Sequence, residues 1–336
     1  MLKMTFGLLA SVVLAAAALA ALADEAARPA GPAPLVLVDT AGKEQKLKGW
    51  KFTAGVTRLS WLAPTPAAAP KKDDGPAKAA PAAAGPEALV VVDEMKIFFL
   101  PPVTTFVPLD RVRSVSFDPK MKTMAVRVAA GAKPEDDLTL TCTTAYKVMN
   151  KLSLEAEVDR GDAGVAEVSY LGGSLRGNIK EIRFPAAKPP AGKAAPGRPA
   201  VVVTKDKTLI KEHKVSDLRP LYQLASGRQK LLPTLMFRKT LRLDVGKIKK
   251  LSADDEEGKD VKWQVTPKSG DESTYTLIES PTLEGGETKL LGLLGKIPAG
   301  YRRFPVKSIS AVYFDAEAAP KEAPKAAKDK EKKCDE

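Results

Sequence analysis

The chain has 336 residues, with 53 lysines and arginines against 41 aspartates and glutamates, one histidine, two cysteines and a net charge of +12. One histidine and two scattered cysteines argue against a zinc site, which needs three or four nitrogen, sulfur or carboxylate ligands, and against a disulfide framework. They also leave any Ser-His-Asp or Cys-His chemistry resting on the single residue His213.

The N-terminus reads "MLKMTFGLLASVVLAAAALAALADEA", with Lys3 ahead of an apolar run from Phe6 to Leu22 and the small-x-small triplet Ala21-Leu22-Ala23. This is the layout of a secretory signal peptide over residues 1–23, with cleavage expected before Asp24. The alternative is an uncleaved anchor, which the short, alanine-rich run disfavours. Export to the periplasm, the cell surface or the medium follows, with no transmembrane helix after cleavage. Residues 24–34 read as a linker.

Residues 35–186 read as a first β domain of two units, interrupted by an insertion at 63–87 built from Ala, Pro, Lys and Gly. Such a stretch cannot bury enough apolar area to offset its chain entropy, so it is expected to be disordered or semi-extended. Elsewhere the pattern is period-two alternation: "KLSLEAEVD" places Leu152, Leu154, Ala156 and Val158 on one side. The stretches "DTAGK", "AAGAKPEDD" and "DRGDAG" punctuate it as hairpin turns. Cys142, in "LTLTCT", shares a strand face with Leu138 and Leu140 and is expected to be a buried, inert thiol.

A second Ala/Pro-rich linker is expected at 187–200, then a second β domain over 201–315, again of two units. "VKWQV" and "TYTLIE" alternate as strands, while "PKSGDES" and "LEGGE" read as turns. One helix is expected, over "SDLRPLYQLASG", with Ser216 capping its start, Pro220 in its first turn and Gly227 closing it. The tail, 316–336, is charged and expected to be disordered; Cys334 lies there, with pairing to Cys142 or to another chain left open.

A twelve-residue template recurs through the chain. "VPLDRVRSVSFD" (107–118) and "FPVKSISAVYFD" (304–315) follow it without a gap, and "SLRGNIKEIRFP" (174–185) and "LDVGKIKKLSAD" (243–254) follow it less strictly. The copies start 67, 69 and 61 residues apart. Pro108 and Pro305 can end a strand, the next residues can form one tight turn, and the apolar positions then alternate as a closing strand. The two weaker copies lack the proline, and the third has Ala253 where Phe is expected.

On these residues the template resembles the turn before the last strand of SH3-like and Sm-like barrels. It is also similar to a Pro-Leu-x-x-Ile-x-x-Ile-x-Phe segment of uncharacterised secreted bacterial β-rich proteins. The resemblance implies an all-β chain of four small β-barrel or β-roll units, two to a domain, and implies no active site.

Chemistry-bearing residues are sparse. His213, in "IKEHKV", reads as exposed, and "PEDD" (134–137), "DRGD" (159–162) and "DDEE" (254–257) read as solvated loops. No Walker-type or G-x-G-x-x-G loop, nucleophile elbow or EF-hand spacing occurs, and no cofactor or metal is expected. What stands out is basic charge between Val201 and Ala253, thirteen Lys or Arg against four acids. Lys205, Lys207, Lys211, Lys214, Arg219, Arg228, Lys230, Arg238, Lys239, Arg242, Lys247, Lys249 and Lys250 are the candidate contacts for an anionic envelope polymer. Only Tyr222 and Phe237 interleave them, so base stacking and specific nucleic-acid binding are not expected. The expected role is an exported, noncatalytic scaffold or binding module meeting such a polymer or another envelope protein. The alternatives are polyanion binding through 201–253 and a carboxylate-dependent hydrolase of an extracellular polymer.

Overall fold

The computed structural model describes residues 33–63, 85–92, 102–118, 123–131, 133–143, 152–170, 178–185, 187–188, 197–206, 209–238, 241–254, 262–283 and 286–315. The expected signal segment 1–23, most of both Ala/Pro stretches, the charged tail and Cys334 lie outside the described residues. No helix among the described residues is long and apolar enough to cross a membrane.

The fold is all-β and antiparallel. The N-terminal half supplies β1 (Leu35–Asp39), β2 (Glu44–Ala54), β3 (Val56–Arg58), β4 (Glu87–Val92), β5 (Thr104–Pro108), β6 (Val112–Asp118), β7 (Thr123–Val128), β8 (Leu138–Thr143), β9 (Ser153–Asp159), β10 (Val165–Tyr170) and β11 (Ile179–Arg183). The C-terminal half supplies β12 (Pro199–Asp206), β13 (Leu209–Gln223), β14 (Gln229–Leu231), β15 (Thr234–Phe237), β16 (Leu241–Asp244), β17 (Ile248–Asp254), β18 (Lys262–Pro267) and β19 (Ser273–Thr276). It continues with β20 (Thr282–Leu283), β21 (Gly286–Glu287), β22 (Lys289–Ile297), β23 (Gly300–Phe304) and β24 (Ile309–Tyr313). β4 starts at Glu87 and β12 at Pro199, inside stretches that composition assigns to the insertion and the linker.

One large sheet runs β10-β9-β2-β1-β11-β6-β7-β8; the other runs β19-β18-β17-β24-β12-β13-β22-β23-β5-β4-β3, with β14 beside β13, while β15-β16 and β20-β21 form two-stranded ribbons. None of the sheets closes into a barrel, so the closed units expected from the template resemblance are not what forms. The strand order of the first sheet nevertheless reappears in the second. Read from β23 to β19, each strand occupies the place that its counterpart in chain order holds from β10 to β8.

The closing strands of the template segments lie in the interior of both sheets, flanked by other strands on each side. In three of the segments a strand leads into a single 3-10 turn, Leu109–Arg111, Val245–Lys247 or Val306–Ser308, and then into β6, β17 or β24. The third copy makes this turn without proline, because Asp244 accepts a 2.7 Å hydrogen bond from the Gly246 N–H and so caps it. Its missing Phe is offset across the strand pair, where Ala253 stands opposite the buried Trp263. The turn of the second copy, 174–177, lies outside the described residues, and its strand is β11.

β6 and β11 pair so that Val115 faces Ile182, and β17 and β24 pair so that Leu251 faces Val312. All four are the ninth residue of their template, and none is more than 2% exposed. A local twofold relation therefore passes between the two ninth residues in each half, which places the apolar positions of both strands on one inner face.

Each half has its own core, with Leu35, Leu47, Val115, Val126 and Ile182 in one and Val202, Tyr222, Leu251, Trp263 and Phe304 in the other. The two are joined where β23 pairs with β5: Tyr301 faces Phe106, Arg302 faces Thr105 and Arg303 faces Thr104. A third core covers this seam, with Leu59, Ala88 and Phe106 from the first half against Leu221 and Leu294 from the second. Arg111 adds a hydrogen bond to the Pro298 carbonyl across it. Gly300 is required by the close approach: its φ is +149°, and a Cβ there would run into the Phe106 carbonyl.

The expected helix at Ser216–Gly227 is not a helix. β13 runs through it to Gln223, and the turn Leu224–Arg228 follows. Leu218, Leu221 and Tyr222 have helical spacing, but they are buried because the strand is covered on both faces and bulged at Asp217, which shifts its register. Pro220 is accommodated in the strand, opposite Leu293 of β22.

Candidate functional site

Two corrections concern ionisable groups. His213 is not exposed: it is 8% accessible, on β13, facing Val202 of β12. Its Nε2 lies 3.0 Å from Thr204 Oγ1 and its Nδ1 lies 3.3 Å from Arg302 Nη1. Because the guanidinium can only donate, Nδ1 accepts and Nε2 carries the proton toward Thr204. Burial, reinforced by the charges of Arg302 and Lys211, pushes the imidazole down to about 4, so it is neutral at physiological pH. Arg302 goes on to donate to Thr105 Oγ1 at 3.0 Å, which ties the histidine into the seam.

Asp137 is the second correction. Read as part of a solvated loop, it is 3% exposed at its side chain and paired with the Nε groups of Arg113 (2.8 Å) and Arg127 (2.9 Å). Cys142 is buried, as expected, with its thiol 3.6 Å from the Met124 carbonyl.

Two clefts flank the Val245–Lys247 turn. The first, about 230 Å³, is lined by Arg198, Asp217, Arg219, Asp244 and Gly246 over an apolar floor of Leu218, Val245 and Phe314. Asp217 is the one non-glycine residue among those described with a left-handed φ (+51°). Its carboxylate accepts from the Arg198 backbone N–H (3.2 Å) and from Lys296 Nζ (2.8 Å), and the Lys296 hydrogen bond holds it below the usual carboxylate range. Arg198 Nη1 donates to the Gly246 carbonyl at 3.2 Å, while Nη2 is buried without a hydrogen-bond partner. The second cleft, about 440 Å³, has Leu243, Ile248, Val265 and Tyr275 beneath a rim of Lys247, Lys268, Asp271 and Ser273. A third space, about 10 Å³ among Leu235, Phe237, Trp263 and Leu293, is a packing gap too small for a ligand.

Of the thirteen basic candidates, Arg219 and Lys247 line these clefts. Lys214 and Lys250 share a row across four strands, Lys214 opposite Val201, Val201 opposite Tyr313 and Tyr313 opposite Lys250, whose ammonium sits 5.9 Å from the Tyr313 ring. Lys205 lies on that same face, whereas Lys211 faces the other way, opposite Thr204. Lys249 falls at the bulge before Lys250. Arg228 and Lys230 occupy the β13–β14 hairpin, and Arg238 and Arg242 the separate β15–β16 ribbon. Lys207 and Lys239 lie outside the described residues. The described basic residues are therefore divided among a sheet face, two clefts, a hairpin and the β15–β16 ribbon instead of forming one face. Tyr222 and Phe237, the aromatics interleaved with them, are fully buried and unavailable for stacking.

Arg198, Asp217 and Asp244 were not candidates from the sequence. An Asp at the second template position, where the first and fourth copies carry Pro, is the one signal that could have singled out Asp244.

No family model matches the chain, and no curated protein or solved structure is similar enough to it to suggest a relative.

Proposed function

We propose that the protein is an exported, noncatalytic β scaffold built from four like units, two in residues 35–186 and two in 201–315, whose work in the envelope is binding. The observation that carries this reading is the self-pairing of the template: its ninth residue faces its own counterpart in both halves, inside the same strand order. Repetition of a packed core with hydrophobic closing strands serves architecture, since it adds no reactive group. The chemistry points the same way. The histidine is buried, neutral and saturated by Thr204 and Arg302, and the carboxylates displaced among the described residues, Asp159 and Asp217, are displaced downward. A glycosidase acid needs the opposite displacement.

Polyanion binding is the second reading, and the first cleft favours it over a diffuse basic surface, because Arg198 and Arg219 line one concavity beside Lys296. Two experiments test the pair. N-terminal sequencing of the exported chain should begin at Asp24, and a chain retained in the cytoplasm with Met1 intact would overturn the export reading. Retention on a sulfated polysaccharide column should fall when Arg198 and Arg219 are both replaced by Ala. Unchanged elution would remove the cleft from the account.

A further inference from the structure

The seam between the halves is a contact of one definite type. The strand that precedes the fourth template (β23) pairs, antiparallel, with the strand that precedes the first (β5). By strand order β10 is the counterpart of β23, and by place in the chain β16 is the counterpart of β5. Among the described residues these two counterparts each pair on one side only, β10 with β9 and β16 with β15. Each half thus carries both complements of the seam, and only one complement of each half is used within the chain. We propose that β10 of one molecule pairs with β16 of a second copy of this chain, repeating the β5·β23 contact between molecules and giving head-to-tail assembly.

The edge chemistry supports this occupant. Natural sheets blunt open edges with Lys, Pro or bulges. β10, "VAEVSY", has none of these, runs in unbroken register with β9, and leaves Val165 65% exposed. The ribbon from Ser153 to Tyr170 carries Glu155, Glu157, Asp159, Asp162 and Glu167 against one arginine, although Lys48 and Lys51 of β2 pair with Asp159 and Glu155. The β15–β16 ribbon carries Arg238 and Arg242 against Asp244 among its described residues. The two ribbons are therefore opposite in charge, and the open strands carry Glu167 and Arg242 exposed at their centres. β8 also ends a sheet, but its counterpart β19 takes no part in the seam. A contact between different patches on the two partners does not close on itself, so the product is a chain or a ring of molecules and not a twofold dimer.

This inference rests on the four-unit reading for the equivalence of the strands. Sedimentation velocity on the purified chain, from micromolar to near-millimolar concentration, should show reversible growth past the dimer that weakens as salt is raised. Glu167→Arg and Arg242→Glu, each alone, should weaken association by about tenfold or more, because like charges then meet across the strands. Mixing the two variants should restore it, since the arginine introduced on β10 of one molecule meets the glutamate introduced on β16 of the other, a result that misfolding of either variant would not produce. A monomer throughout, or association indifferent to both reversals, overturns the proposal. Neither outcome would touch the unit architecture, which is read separately from the protection of the seam within one molecule.

Discussion

Protonation of His213 should cost the folded state a definite amount. The imidazole is held near 4 in the fold, against an ordinary value of 6.5, with Arg302 and Lys211 as the neighbouring charges and Thr204 as the hydroxyl partner. The unfolded chain therefore binds a proton in this window that the folded chain refuses. Stability is complete above the ordinary value and falls as pH drops toward 4. Between about pH 7.5 and about pH 5 this single group should remove about 2 kcal/mol. The assay is urea unfolding of the wild type and His213→Gln at both pH values. All other titrations are common to the two proteins, so the difference in their stabilities should shrink by that amount on acidification. Parallel curves would refute the buried, neutral histidine.

Three further outcomes follow from packing. Gly300→Ala places a Cβ against the Phe106 carbonyl at a φ that disfavours L side chains, and should cost about 2 to 3 kcal/mol in denaturant unfolding. Leu251→Ala empties a ninth template position that is 2% exposed, and should lower stability by about 2 to 5 kcal/mol. Asp137→Asn removes the charge that pairs with Arg113 and Arg127, and should cost about 1 to 3 kcal/mol in denaturant unfolding.

Alternation was a sound guide to this fold wherever one strand face meets a core and the other meets water. β9, β18 and the closing strands β6 and β24 are examples, with Val112, Val115, Ile309 and Val312 all buried. It failed at Ser216–Gln223, where both faces of β13 are covered and the bulge at Asp217 puts Leu218, Leu221 and Tyr222 at helical spacing. His213 looked exposed because its sequence neighbours Glu212 and Lys214 are charged. On a strand those neighbours point to the opposite face, and the histidine's true neighbours, Thr204 and Arg302, are distant in the chain. The cleft around Arg198, Asp217 and Asp244 was illegible for the same reason: it is assembled from three strand ends and a left-handed residue that no local pattern announces. The pairing of β5 with β23 joins residues nearly two hundred positions apart, as in the Arg302–Thr105 hydrogen bond, and no periodicity encodes a partner at that range.

That pairing converts two similar halves into one body. Native-state hydrogen exchange on the β5 segment 104–106 and the β23 segment 301–303 is the most direct measurement of it. Protection there as strong as in the interior strands β6 and β24, lost together with them in a single unfolding step, is the expected result. Rapid exchange at the seam while β6 and β24 stay protected would contradict it.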